Sequence, residues 1–194
     1  MPELLPMQVS NMSFWEIRLK KLEHEMIPIH IIGQPGSGKT TLIVDIIKEL
    51  NKQNIKVGSM KHSAHVHELD KPGKDSFRHR KAGASPVSMV TQEMIAVYLP
   101  MTREMTPQAL LEKYYSKIDI VLIEGWISGP YDKIEIWRKA VKRPPLFPDI
   151  SHIKAFVSDD MLDPKSMRQA NTKKIRCFRR NEVTQLVDNI LKIT

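Results

Sequence analysis

The chain has 194 residues, 41% of them hydrophobic and 27% charged, with a formal net charge of +8. That size and composition suit one main globular α/β domain, and the basic excess suits an anionic partner: a nucleotide, a phosphorylated cofactor, a nucleic acid or an acidic protein surface. One cysteine, Cys177, excludes an intramolecular disulfide framework and a C-x-x-C metal clip. No apolar run approaches the ~20 residues of a membrane span, and no signal-peptide core opens the chain, so a cytoplasmic protein is expected.

Residues 1–26 read as an extension: "MPELLPMQV" is broken by proline, and "SFWEIRLKKLEHEM" places Trp15, Leu19, Leu22 and Met26 on one helical stripe. From residue 27 to 194 the pattern is that of a nucleotide-binding domain. "IPIHII" predicts a strand, "TLIVDIIKELNKQ" an amphipathic helix and "IKVGSM" a second strand, which together make a βαβ unit and imply a parallel sheet. A polar loop follows, then a short helix in "SFRHRKAG" closed by Gly83. "PVSMVTQ" and "EMIAVYLP" predict two strands around a turn. "TPQALLEKYY" predicts a helix with Thr106 as N-cap and Pro107 at its first position.

"IDIVLIEG" is the most continuously apolar run, as expected of a central parallel strand covered on both faces. "KIEIWR" alternates, "IKAFVS" predicts another buried strand, and "NEVTQLVDNILKI" a closing amphipathic helix. The expected fold is therefore α/β and P-loop NTPase-like, three-layered, with a mainly parallel central sheet and an added β-hairpin region.

Gly33-Gln-Pro35-Gly36-Ser37-Gly38-Lys39-Thr40 matches GxxxxGK[ST] between a predicted strand and a predicted helix, the context the motif requires. Consecutive backbone N–H groups of such a loop curl around a phosphate, and glycine is needed where a side chain would block the approach. Lys39 then reaches the β- and γ-phosphates, the helix N-terminus adds its positive dipole end, and the Thr40 hydroxyl suits Mg²⁺. A partner acid is needed at the end of a neighbouring strand. Glu124 stands there; Asp75, in a glycine-containing loop before a helix, is the other candidate, with helix capping as its alternative role. Lys39, Asp75 and Glu124 are thus the catalytic candidates, and Thr40, Glu124 and Asp75 the metal candidates.

The group Lys61, His62, His65, His67, Glu68 and Asp70 lacks cysteine or an i, i+4 histidine pair, which argues against a zinc site and for polar residues lining a phosphate cleft. Lys71, Lys74, Arg78, Arg80 and Lys81 add positive charge beside it. Arg138, Lys139, Lys142 and Arg143 form a second basic run next to the turn "RPPLFP". Few aromatics interleave with these runs, which argues against a single-stranded nucleic-acid platform.

Taken together, "GQPGSGKTTL", "KVGSMKHSAH", "DKPGKDSFRHRKAGA", "DIVLIEGW" and "KIEIWR" resemble, in order and over roughly residues 27–160, the molybdopterin-guanine dinucleotide biosynthesis protein B family, MobB. The specific part is "DKPGKDS" followed by "RKAGA". The resemblance implies a GTP-binding P-loop fold, a homodimer, weak GTP hydrolysis, and an adaptor role toward the enzymes that attach the nucleotide to molybdopterin and insert the metal. On matching positions it implies that Gly36, Gly38, Lys39, Thr40 and Thr41 bind phosphate and Mg²⁺. Glu124 takes the acidic strand-end position. Lys61, His62, Asp70, Lys71, Gly73, Asp75 and Ser76 line the cleft facing the γ-phosphate or the pterin.

The sequence departs from the family in the histidine loop, where Ala64 and Val66 occupy positions that commonly carry His and Asp, and at Trp126-Ile127, where a lysine is absent. No N-K-x-D base-recognition motif follows a predicted strand, so a preference for GTP rests on the resemblance. Two other readings are an ATP-dependent small-molecule kinase or ligase using Asp75 to orient an acceptor, and a non-catalytic adaptor with a structural nucleotide. With neither a water-orienting glutamine nor an arginine finger identifiable, hydrolysis is expected to be slow.

Overall fold

Short β-branched runs alternate with amphipathic helical segments from residue 27 onward, and each run has become a strand. The computed structural model describes residues 26–101 and 106–193. The helix expected within residues 1–26 lies outside them, except for Met26. The elements in chain order are β1 (Ile27–Ile32), α1 (Lys39–Lys52), β2 (Val57–Lys61), α2 (Asp75–Lys81), β3 (Val87–Val90), β4 (Ile95–Tyr98), α3 (Pro107–Tyr114), β5 (Ile120–Glu124), β6 (Lys133–Ile136), a 3₁₀ turn (Lys139–Val141), β7 (Ile153–Val157), α4 (Pro164–Thr172), β8 (Arg176–Phe178) and α5 (Val183–Ile193).

Six strands form one sheet in the order β2-β5-β1-β6-β7-β8, every pairing parallel. One face is covered by α1 and α5: Leu42, Ile46 and Leu50 meet Ile29, Ile31 and Leu122 in a cluster shared with Val187 and Ile190. On the opposite face Leu111 of α3 packs on Val121 and Ile123. Trp137, Phe147 and Phe156 gather with Ala170 of α4 further along. The result is the three-layered, P-loop NTPase-like α/β fold expected, with β3 and β4 set apart as an antiparallel hairpin.

Local signals explain the boundaries. The Thr106 hydroxyl accepts from Ala109 N at 3.2 Å, with Pro107 in the first turn of α3. After α2, Gly83 N donates to Arg80 O and Ala84 N to His79 O, the paired bonds of a Schellman ending, with Gly83 at φ +101°. Helix α4 and strand β8 have no counterpart among the sequence expectations. In α4 the buried residue is Ala170 alone, so a hydrophobic stripe barely shows. Its start is nevertheless written in Asp163, which accepts from Lys165 N and Ser166 N ahead of Pro164. Strand β8 has three residues at the sheet edge.

The alternation in "KIEIWR" suggests one polar, solvent-facing side for β6. Instead all four residues of β6 are buried, including Lys133 and Glu135. Lys133 Nζ donates to Gly129 O at 2.7 Å and Tyr131 O at 3.1 Å, closing the loop that follows β5. The Glu135 carboxylate accepts from Leu146 N at 2.6 Å and Phe147 N at 2.9 Å, so the chain after β6 folds back over this face.

His30 of β1 shares that face. It is fully buried and stacks on Tyr131. Burial, reinforced by the nearby Lys133 ammonium, lowers its pKa from 6.5 to about 4. The unfolded chain takes this proton near pH 6.5 and the folded chain only near 4, so stability is lost as pH falls through that window. Relative to a His30→Leu variant, the protein is expected to lose about 3 kcal/mol between pH 7 and pH 4. Urea unfolding of both proteins across that range checks this; parallel curves would refute it.

Candidate functional site

The candidate site lies where β1, β5 and β2 end side by side. The parallel register pairs Ile31 with Glu124 and Glu124 with Lys61, so these residues stand at one edge of the sheet. Residues 33–38 leave β1 there and turn into α1. Glycine is required at two points of that turn. A Cβ on Gly33 would lie 2.3 Å from the Ile136 carbonyl oxygen, and Gly38, the N-cap of α1, has φ +102°. No side chain caps α1, so its first amides are without a side-chain acceptor.

Inside the loop the Ser37 hydroxyl is buried without a partner. Lys39 folds back over the loop and donates to Gly33 O at 3.0 Å and Gln34 O at 3.1 Å. Burial pushes the Lys39 ammonium below the usual lysine range; the Glu124 carboxylate opposes this and Lys61 adds to it. The Thr40 hydroxyl donates to Glu124, with Oε2 at 3.2 Å and Oε1 at 3.4 Å, and Lys61 Nζ lies 3.5 Å from Glu124 Oε1. His62 N donates to Glu124 O, and the His62 ring stacks on Trp126 at 4.5 Å between centroids. Trp126 holds φ +54°, a costly conformation for a bulky residue and one that clusters at functional sites.

Of the residues singled out in the sequence, Gly33, Pro35, Gly36, Ser37, Gly38, Lys39, Thr40 and Thr41 form this loop and the start of α1, and Lys61, His62 and Glu124 stand beside it. The second loop is organised around α2. Asp70 is buried; its Oδ1 accepts from Lys71 N at 2.8 Å and Ser76 Oγ at 3.0 Å, while its Oδ2 has no partner. Glu68 accepts from Asp70 N and pairs with Arg80. Asp75 is exposed in the first turn of α2, whose N-cap is Lys74. Among the described residues no hydrogen bond or ion pair joins Asp70, Lys71, Gly73 or Asp75 to the phosphate loop. His65 and His67 are exposed, with the His67 ring 2.9 Å from Ser63 Oγ.

The basic run after β6 is brought somewhere its sequence position does not reveal. Arg138 Nη2 lies 3.8 Å from where a Cβ on Gly36 would sit, and Arg143 Nη1 approaches Gln34 Oε1 at 3.4 Å. The sequence signal was a cluster of charges; only the pairing of β1 with β6 turns it into a wall of the loop.

A parallel sheet with a glycine-rich loop opening a helix, a lysine over that loop, and a threonine facing a strand-end glutamate defines an α/β protein of the P-loop NTPase-like class. The model of the family described as molybdopterin guanine dinucleotide synthesis protein B matches residues 28–159, and the chain belongs to this MobB family. A molybdopterin-guanine dinucleotide biosynthesis adapter protein of Escherichia coli is 37% identical over 139 residues, 69% of this chain and 79% of that protein. One of Haemophilus influenzae is 36% identical over 115 residues, 59% of this chain and 65% of that protein, just under two thirds of its length. A crystal structure of molybdopterin-guanine biosynthesis protein B superposes with a TM-score of 0.67 at 24% identity, covering 87% of this chain and all of the other. Bacillus subtilis MobB gives 0.65 at 23% identity, over 86% and 97%. At such identities these structures speak for the fold.

Proposed function

We propose that this protein is an adapter in molybdopterin guanine dinucleotide biosynthesis that binds GTP with Mg²⁺ at the loop between β1 and α1 and hydrolyses it slowly. The observation that carries the nucleotide reading is Thr40, in the first turn of α1, facing Glu124, at the end of β5, beside Lys39 and across 84 positions of sequence. The residues fit a metal-bound triphosphate. Ser37 is a buried hydroxyl lacking a partner, glycines keep the loop's amides accessible, and a hydroxyl and a carboxylate are the oxygen donors Mg²⁺ prefers.

Thr40 and Glu124 would hold the ion, which would supply charge neutralisation between the phosphates; Lys39 and Lys61 would hold the phosphates from either side of Glu124. Asp75 is kept as a second metal candidate, and Asp70, Lys71 and Gly73 as the wall facing the γ-phosphate or the pterin. Slow turnover follows from Gly125-Trp126-Ile127 after Glu124, none of which is an amide or base able to orient water.

The names of the relatives support the adapter role; the enzymes that attach nucleotide and insert metal are the partners this reading assigns to it. Homodimerisation is supported by the β3–β4 hairpin, where Val90, Met94 and Ile95 are 67–70% exposed, more apolar surface than an isolated hairpin should present to water. No helix among the described residues is long and apolar enough to cross a membrane, which is compatible with a cytoplasmic setting.

The test is a competition titration of GTP against ATP, with Mg²⁺ and with chelator, followed by turnover on the same samples. GTP preference, loss of affinity on chelation and slow turnover are expected. Preference for ATP with rapid transfer to a small acceptor would overturn the reading in favour of a kinase or ligase.

A further inference from the structure

Long loops after a strand are ordinarily mobile, yet the connection from β6 to β7 is fastened at several points. Glu135 takes the amides of Leu146 and Phe147, the Trp137 indole donates to Arg143 O at 2.7 Å, and Lys139 N donates to Asp160 Oδ2 at 2.7 Å. From the residue that ends α4, Lys173 Nζ donates to Phe147 O at 2.9 Å and Pro148 O at 2.7 Å. This fastening holds two arginines against the phosphate loop: Arg138 next to Gly36, and Arg143 next to the Gln34 side chain. Neither makes an ion pair among the described residues, and both are exposed. A guanidinium held beside an anion-binding turn without a carboxylate of its own is an unanswered charge, and its planar fork suits phosphate oxygens.

We infer that Arg138 is a phosphate-binding residue supplied in cis, closing the polyphosphate site from the side opposite Lys61, with Arg143 and Glu135 as positioning residues for the loop that carries it. The strand order makes the two flanks distinct. β5 and β2 lie on one side of β1 and bring Glu124 and Lys61, while β6 lies on the other and brings Arg138. The inference rests on the triphosphate reading of the site and adds to it a specific contact: Arg138 meets the phosphates, so its contribution does not depend on the base.

Calorimetric titration with Mg²⁺ and a non-hydrolysable GTP analogue, and separately with inorganic tripolyphosphate, tests this on the full chain and on R138A, R138K and R168A. Arg168, exposed on α4, controls for the loss of one positive charge. The expected result is a loss of about 10- to 100-fold in affinity for both ligands in R138A. R138K should recover part of it, R168A should match the parent, and thermal unfolding of the free proteins should be unchanged. R138A binding like R168A overturns the inference while leaving the triphosphate site intact, and so does a loss seen with the nucleotide but not with tripolyphosphate. A parent protein that binds neither ligand overturns the nucleotide reading itself.

Discussion

Replacing Lys39 by alanine is expected to weaken triphosphate binding by about 100-fold or more while changing folding stability by about 1 kcal/mol or less. The asymmetry follows from what Lys39 does in each state. In the free protein its ammonium rests on two carbonyls of the loop, Gly33 O and Gln34 O. The loop's shape is set by its glycines and by the start of α1, and the released carbonyls would turn to water. In the bound state the same ammonium would move to phosphate oxygens, exchanging neutral acceptors for charged ones. Its lowered pKa marks the cost of holding it half-buried, which the Glu124 carboxylate offsets only in part and which bound phosphate would offset further. Titration with a GTP analogue alongside urea unfolding separates the two effects. A Lys39→Ala protein that keeps parental affinity would remove the loop's assignment as a phosphate site.

The second large effect is predicted at Glu135, a position that carries no recognisable motif of its own. Glu135→Leu preserves bulk but leaves the amides of Leu146 and Phe147 without their acceptor, in a region where Phe147 is fully buried. Each stranded amide costs about 1–3 kcal/mol; part is offset because a buried carboxyl no longer has to be desolvated. A net loss of roughly 3 kcal/mol is expected in urea unfolding near pH 5.

The pH dependence of that loss is also fixed. Burial raises the Glu135 pKa from 4.5 to about 7, against the two amides that favour the carboxylate. The folded protein therefore keeps a proton that the unfolded chain releases near pH 4.5. The stability this contributes declines as pH rises toward 7. The gap between parent and Glu135→Leu should narrow from pH 5 to pH 8; a gap that widens would show that the amides, and not burial, control this group.

Much of the site was legible because its signals are local. The phosphate loop is eight consecutive residues, and the glycines at 33 and 38 are needed for reasons that a few neighbouring atoms supply. Thr106 with Pro107 begins a helix, and Gly83 ends one, through bonds spanning three to five positions. The apolar run of β5 shows as a buried strand because both its faces are covered. Where the signal is not local, the reading thins. β6 alternates like a strand with a wet face, and nothing in "KIEI" says that Phe147, eleven positions after Ile136, will cover that face and that Glu135 will hold the covering chain. Helix α4 buries little beyond Ala170 and so leaves almost no stripe. The partners of Asp70 lie mostly within its own loop and α2, and the sequence could not say whether it turned toward that helix or toward the phosphates.

The sequence by itself determined that a glycine-rich turn of the GxxxxGK[ST] pattern sits between a strand and a helix, that an acid stands at the end of the most buried strand, and which family the chain belongs to. These depend on residue type and short spacing, which the covalent chain preserves. The tertiary structure alone decided which distant charges meet. That choice depends on strand order, which places β5 on one side of β1 and β6 on the other. Through it Glu124 and Lys61 come to one flank of the loop and Arg138 to the opposite one, because side chains far apart in sequence become neighbours only when the backbone hydrogen bonds of a sheet align the strands that carry them.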